Sequence, residues 1–178
     1  MADFWEWAFG ALGVNSTRGV FAEYLVGVLL AAARDLRLQW APHDLTYRGC
    51  RIEVKSAAYL QDWKQVRPST ISFSVAPTYP EAEIAAAPRV REHRSELYVL
   101  CLEVEKDRHR FDPLQLSQWL FYVVPTDLIR REAGLTIGVG WLERHGIQPH
   151  GASTLRDVVD RMIGSMAAGS LAAPGGGG

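Results

Sequence analysis

Apolar residues recur at three- and four-residue spacing from Asn15 to Leu38, where Val20, Phe21, Tyr24, Leu25, Val28, Leu29 and Ala32 fall on one stripe. That period predicts a long helix, with Ser16 or Thr17 available as its N-cap. The period then changes to two. The segment APHDLTYRGCRIEVKSAAY alternates on both sides of Arg48-Gly49, which predicts two short strands joined by a tight turn where glycine supplies a positive φ. A polar stretch from Gln61 to Thr70 has room for a short helix, and ISFSVA (71–76) alternates as a further strand.

Pro77, Pro80 and Pro88 bracket small and charged residues, so 77–96 reads as a long surface excursion. LYVLCLEV (97–104) follows, an almost unbroken apolar run of the kind that forms a central strand. Pro113 to Trp119 is read as one or two helical turns, Phe121 to Val124 as a strand, and Thr126 as the cap of a helix through Arg131. Leu135 to Leu142 is taken as a last strand and Thr154 to Met166 as an amphipathic helix. No internal repeat is visible. Residues 1–166 are expected to form one domain, and 167–178, ending in PGGGG, a disordered glycine-rich tail.

Composition places the 178 residues, 48% of them hydrophobic and 22% charged, among soluble globular proteins with a core large enough to need no disulfide or structural metal. Cys50 and Cys101 lie in strand-like runs without metal-finger spacing, which fits a reducing compartment. The longest apolar stretch, Val20 to Ala33, contains Glu23 and falls short of the roughly 20 residues of a membrane span. No export signal is seen, so a cytoplasmic location is expected. The net charge of −1 gives no global electrostatic case for binding nucleic acid, which must rest on local patches.

The chemistry concentrates between Asp44 and Lys55. A two-residue turn at Arg48-Gly49 pairs Tyr47 with Cys50 and, three steps out, sets Asp44 opposite Glu53. Directly opposed Cβ atoms stand about 5 Å apart, where two like charges are destabilising unless something compensates. A divalent cation does so. Alternation gives Asp44, Thr46, Arg51, Glu53 and Lys55 one face and Leu45, Tyr47, Cys50, Ile52 and Val54 the other, core-like one. Two carboxylates and the Val54 carbonyl suit Mg²⁺ with positions left for water and a phosphate oxygen, and Mn²⁺ would substitute. Lys55 would stand beside that water, orienting it or stabilising charge growing on phosphorus. The plainer reading is a solvated hairpin face with an ordinary Glu53–Lys55 ion pair. The turn register and the apolar opposite face favour the site.

These residues resemble the PD-(D/E)xK nuclease superfamily, which has the restriction-endonuclease-like fold. The resemblance rests on a helix with an acidic residue (RGVFAEYLV, Glu23), Asp44 opening a strand, Glu53-Val54-Lys55 on its hairpin partner, and a glutamine-bearing segment (YLQDWKQ). It covers roughly Arg18 to Val75, with His43 where the family's namesake proline stands. The resemblance implies that Asp44 and Glu53 bind Mg²⁺ and that Lys55 assists hydrolysis. It also implies auxiliary roles for Glu23, whose carboxylate on an otherwise apolar helix face needs a partner, and for Gln61, with Gln65 as a second candidate.

The expected fold is therefore α/β: a restriction-endonuclease-like core with a central mixed β-sheet of about four or five strands flanked by helices. The expected activity is Mg²⁺-dependent phosphodiester hydrolysis of nucleic acid, DNA before RNA. Arg18, Arg51, Lys64 and Arg67 are the basic residues near enough to contact phosphates, with Arg89, Arg91 and Arg94 in the excursion. Trp63 and Tyr59 are candidates to stack on bases. Cleavage of both strands would call for a homodimer. The competing reading is a catalytically inert nuclease-like module that binds nucleic acid or docks a protein through 77–96; the intact acidic pair and lysine argue against it. A third is a hydrolase of smaller phosphate esters.

Overall fold

The structure, a computed structural model, describes residues 1–33, 37, 41–79 and 91–172. Its centre is a four-stranded mixed sheet in the order β1-β2-β4-β5, with β1 (Leu45–Tyr47), β2 (Cys50–Ala58), β4 (Leu97–Glu103) and β5 (Trp119–Pro125). The α/β architecture of the sequence reading is present. β1 and β5 run antiparallel to their neighbours, while β2 and β4 are parallel, with Glu53 beside Tyr98 and Lys55 beside Leu100.

Alternation sorts the sheet into two faces. Ile52, Val54, Val99, Cys101, Phe121 and Val123 pack against α2 (Asn15–Leu30) and α5 (Leu155–Ala172). Leu100, Leu102, Tyr122 and Val124 pack on the opposite side with Ile129 of α3 (Thr126–Glu132), Leu142 of α4 (Val139–Arg144), and the small pair β3 (Phe73–Ser74) and β6 (Thr136–Ile137). All seven residues of β4 are buried. Each large aliphatic there contributes about 1.5–3 kcal/mol by leaving water, which makes β4 the centre of the fold. Cys50 and Cys101 are unpaired thiols inside this core.

Several expectations change. α2 stops at Leu30, eight residues before Leu38, because Ala31 turns left-handed (φ 56°) and the N–H groups of Ala32 and Ala33 return to the Gly27 carbonyl. Gly27 permits that reversal, since a Cβ there would stand 2.9 Å from the Ala33 Cβ. Residues 34–36 and 38 of the expected helix lie outside the described residues. The N-cap is Val14, not Ser16 or Thr17, and no side chain caps the first turn. Likewise Pro125, not Thr126, caps α3. The expected strand at 135–142 is mainly α4, with only Thr136–Ile137 extended, and the 61–70 segment forms turns without a helix. β3 takes two residues of the six in ISFSVA.

α5 continues through Ala172, past the Met166 limit. The pattern also passes over α1 (Ala2–Phe9), an aromatic-rich helix with no buried residue. Most of the proline-bounded excursion, 80–90, lies outside the described residues. No described helix is long and apolar enough to cross a membrane.

Candidate active site

The hairpin that carries the site forms as its turn residues require. Arg48 (φ 50°) and Gly49 (φ 78°) both adopt the left-handed conformation, the type I′ combination whose twist matches the flanking strands. The register is Tyr47 to Cys50 and Leu45 to Ile52. The ladder ends there, so Asp44 is not a paired strand residue. Its carboxylate instead bends onto β2, where Oδ2 accepts the Val54 main-chain N–H at 2.7 Å. From Glu53 onward β2 has no ladder partner on this side among the described residues. The Val54 carbonyl shares the edge to which its own N–H points, beside Asp44.

Glu53 and Lys55 project from the face that Asp44 overlooks. Lys55 Nζ donates to Glu53 Oε1 at 2.6 Å, and Ser95 Oγ donates to Glu53 Oε2 at 3.4 Å. Burial, reinforced by the charge of Glu53 and then of Glu23, pushes the Asp44 carboxyl up to about 7, against the opposing pull of the Val54 N–H and Lys55. Two acids and a lysine are thus held within electrostatic reach at a partly buried edge. Among the described residues no three His, Cys, Asp or Glu side chains converge as a metal cluster. A cation here would be held by two carboxylates completed by main-chain oxygen and water, a hard donor set that suits Mg²⁺.

Glu23 finds its partner in Arg37, which grips the carboxylate through Nε and, at 2.8 Å, through Nη2. The glutamate therefore acts on Asp44 through its charge while its oxygens are engaged elsewhere. Gln61 is 8% exposed, and its Nε2 donates to the Ala58 carbonyl at 3.0 Å and to Ser69 Oγ at 3.3 Å. It fastens the loop after β2. Gln65 does the same from the loop's other side, accepting the Gln61 N–H at 2.7 Å. His43 pairs with Thr46 Oγ1 at 2.7 Å.

The basic residues divide. Lys64 and Arg67 are exposed, as a phosphate contact needs. Arg51 is exposed but held by Glu96, which takes both its guanidinium and its main-chain N–H. Arg18 is no surface residue: it is 4% exposed, with Nη1 on the Gly13 carbonyl and Nη2 on Asn15 Oδ1. Trp63 stands exposed at the rim and Tyr59 is half-buried. Arg91 and Arg94 are described; Arg89 is outside the described residues.

Sequence reasoning missed three neighbours of Glu53. Ser95 contacts it directly, Tyr98 lies beside it across the parallel ladder, and His93 Nδ1 meets Tyr98 Oη at 3.0 Å. Only the β2–β4 register reveals them. Two cavities flank the site. One, of about 840 Å³, is lined by Asp44 and Glu23 together with Trp5, Phe9 and Tyr24. The other, of about 390 Å³, is lined by Lys55 and the residues beyond it on β2.

A mixed α/β sheet with an acidic pair and a lysine at an open strand edge defines the class of site. The family follows from the sequence: a family model described as bacteriophage T4 endonuclease IV matches residues 15–141, most of the chain and all of the hairpin. The chain belongs to the bacteriophage T4 endonuclease IV family, and is a nuclease that cleaves nucleic acid. No curated protein and no solved structure matches.

Proposed function

We propose that this nuclease is of the PD-(D/E)xK type and hydrolyses DNA phosphodiester bonds with Mg²⁺, for which Mn²⁺ substitutes. The observation that carries the reading is the placement of Asp44, Glu53 and Lys55 around the Val54 edge of β2. Asp44, Glu53 and the Val54 carbonyl would hold the cation. When bound, the cation supplies Lewis acidity that lowers the pKa of attacking water and neutralises charge on the phosphate.

The chain's own residues set the stage for that chemistry. Burial and, after it, the charge of Glu53 raise the Asp44 carboxyl, and a cation that neutralised both acids would relieve that cost. The Lys55 ammonium, held against Glu53 Oε1 and one-third exposed, would orient the nucleophile or meet negative charge on the phosphoryl oxygens. Ser95 holds Glu53 Oε2 in place, and the Val54 N–H fixes Asp44. Glu23 contributes negative potential, and Gln61 fastens the loop that follows β2. Lys64 and Arg67 would contact the backbone of the substrate.

The test is incubation of the purified chain with supercoiled, linear, branched and single-stranded DNA, and with RNA, in Mg²⁺ or Mn²⁺ against EDTA. Cleavage that requires the metal and prefers DNA supports the reading. Cleavage that persists in EDTA overturns the metal, and a preference for RNA overturns the substrate.

A further inference from the structure

The smaller cavity holds chemistry that hydrolysis at Asp44, Glu53 and Lys55 does not use. It lies along the open edge of β2 beyond Lys55, between the first turn of α2 and the Ser72–Ser74 segment. None of its described lining residues is acidic. Two cations reach it, Lys55 and Arg18, along with the hydroxyl of Ser72 and the amide of Asn15, and the exposed Ser74 stands at its rim.

Arg18 is the informative member. Its charge is almost wholly removed from water, and burial pulls its pKa below the usual arginine value despite the charges of Glu103 and Asp62. A buried guanidinium is costly unless its donors are used. Two nitrogens are satisfied by Gly13 and Asn15, while Nε is buried without a partner. Asn15 and Arg18 belong to the first turn of the sixteen-residue α2, which no side chain caps. An uncapped helix N-terminus carries about half a positive charge and presents free N–H groups, the arrangement that binds phosphate.

Asn15 and Arg18 of the first turn of α2, the latter with its unpartnered Nε, line together with Lys55 and Ser72 one polar cavity large enough for a nucleotide. We infer that this cavity is a phosphate subsite, which holds a phosphodiester group of the substrate strand next to the one being cut. Lys55 lines it and also contacts Glu53, so the strand would pass from the acidic pair along the β2 edge to Arg18. The subsite rests on the proposed function for its substrate, but its binding can be measured without cleavage.

The experiment uses Ser74→Asp, which puts a carboxylate in the cavity from an exposed position, with Ser74→Asn as the neutral control and Arg18→Gln as a second variant. Binding of a short fluorescein-labelled oligodeoxynucleotide is followed by anisotropy in EDTA across a salt series, and hydrolysis of bis(p-nitrophenyl) phosphate in Mg²⁺ is measured in parallel. For Ser74→Asp the expected result is roughly tenfold weaker binding and a salt slope shallower by about 0.7–0.9, one phosphate contact. Ser74→Asn should bind as wild type does, and the diester, having one phosphate, should be hydrolysed at the wild-type rate by Ser74→Asp. Unchanged binding by Ser74→Asp, or equal loss in Ser74→Asn, overturns the subsite, as does a fall in diester hydrolysis with binding intact. Failure of the wild type to hydrolyse either substrate in Mg²⁺ would instead overturn the proposed function, while the binding measurement still decides the subsite.

Discussion

Asp44 is joined to Val54 by a hydrogen bond of 2.7 Å from the main-chain N–H to the carboxylate, where a further rung of the β1–β2 ladder would otherwise lie. One side chain thereby ends the hairpin and satisfies an edge donor, and it brings a carboxylate to the strand that carries Glu53 and Lys55. The acid is placed by a bond to backbone, so its position depends on the hairpin register.

Asp44→Asn keeps an oxygen for that N–H and removes the charge that repels Glu53. The wild-type carboxyl is held up at about 7, well above its ordinary value, so its folded state keeps a proton that the unfolded chain releases. Stability from this group is therefore full at low pH and is lost as pH rises toward 7. At pH 8 without divalent ions, Asp44→Asn should be more stable than wild type by about 1–2 kcal/mol and so melt at a higher temperature. Mg²⁺ should raise the melting temperature of wild type more than that of the variant. Thermal melts with and without Mg²⁺ check both.

Glu103 offers a second titration, away from the cleavage site. It is fully buried at the end of β4, with Oε1 accepting the Glu105 N–H at 3.0 Å and Oε2 buried without a partner. Burial pushes its carboxyl up to about 7, only partly countered by the Glu105 N–H and Arg18. The folded state again binds the extra proton, so wild type loses stability between the ordinary carboxylate range and pH 7. The stability of Glu103→Gln relative to wild type should improve by about 2–3 kcal/mol from pH 4.5 to pH 8. Urea unfolding across that range measures it, and a pH-independent difference would refute the burial account.

At the turn, Gly49 has φ 78° and open space where a Cβ would go, so the cost of Gly49→Ala is backbone strain without a clash. A loss of about 1 kcal/mol is expected in thermal unfolding. Arg48 also sits at positive φ, so Arg48→Asn should offset part of that loss in the double variant.

Arg51 and the two loop cations should separate cleanly. Glu96 already occupies Arg51, so Arg51→Ala should leave the salt dependence of DNA binding unchanged and cost under about 1 kcal/mol of stability. Lys64→Ala and Arg67→Ala should each flatten the salt slope by about 0.7–0.9 while leaving stability alone. Anisotropy titrations over a salt series distinguish the three.

Much of this arrangement was legible in local sequence. The Arg48-Gly49 turn and the two faces of β2 follow from a two-residue period and a turn chemistry that operate over about ten residues, whereas Asp44 lies beyond the ladder expected to pair it with Glu53 and reaches β2 through its carboxylate. The start of α2 and the central position of β4 follow equally from their periods. Hidden features depend on distant chain. The end of α2 is set by a left-handed alanine, a conformation alanine does not advertise. Arg18 reads as a surface cation until Gly13, Asn15 and Glu103 are seen around it. Ser95, Tyr98 and His93 join Glu53 only through a parallel pairing that spans more than forty residues. The 135–142 segment has the apolar content of a strand, but the wall it forms against Ile71 and Phe73 is mostly helix.

The most direct measurement is single-turnover cleavage of DNA in Mg²⁺ by wild type, Asp44→Asn and Lys55→Ala, with folding confirmed by circular dichroism. The account predicts metal-dependent cleavage by wild type and a loss on the order of 100-fold or more in each variant. Wild-type rates in either folded variant would contradict it.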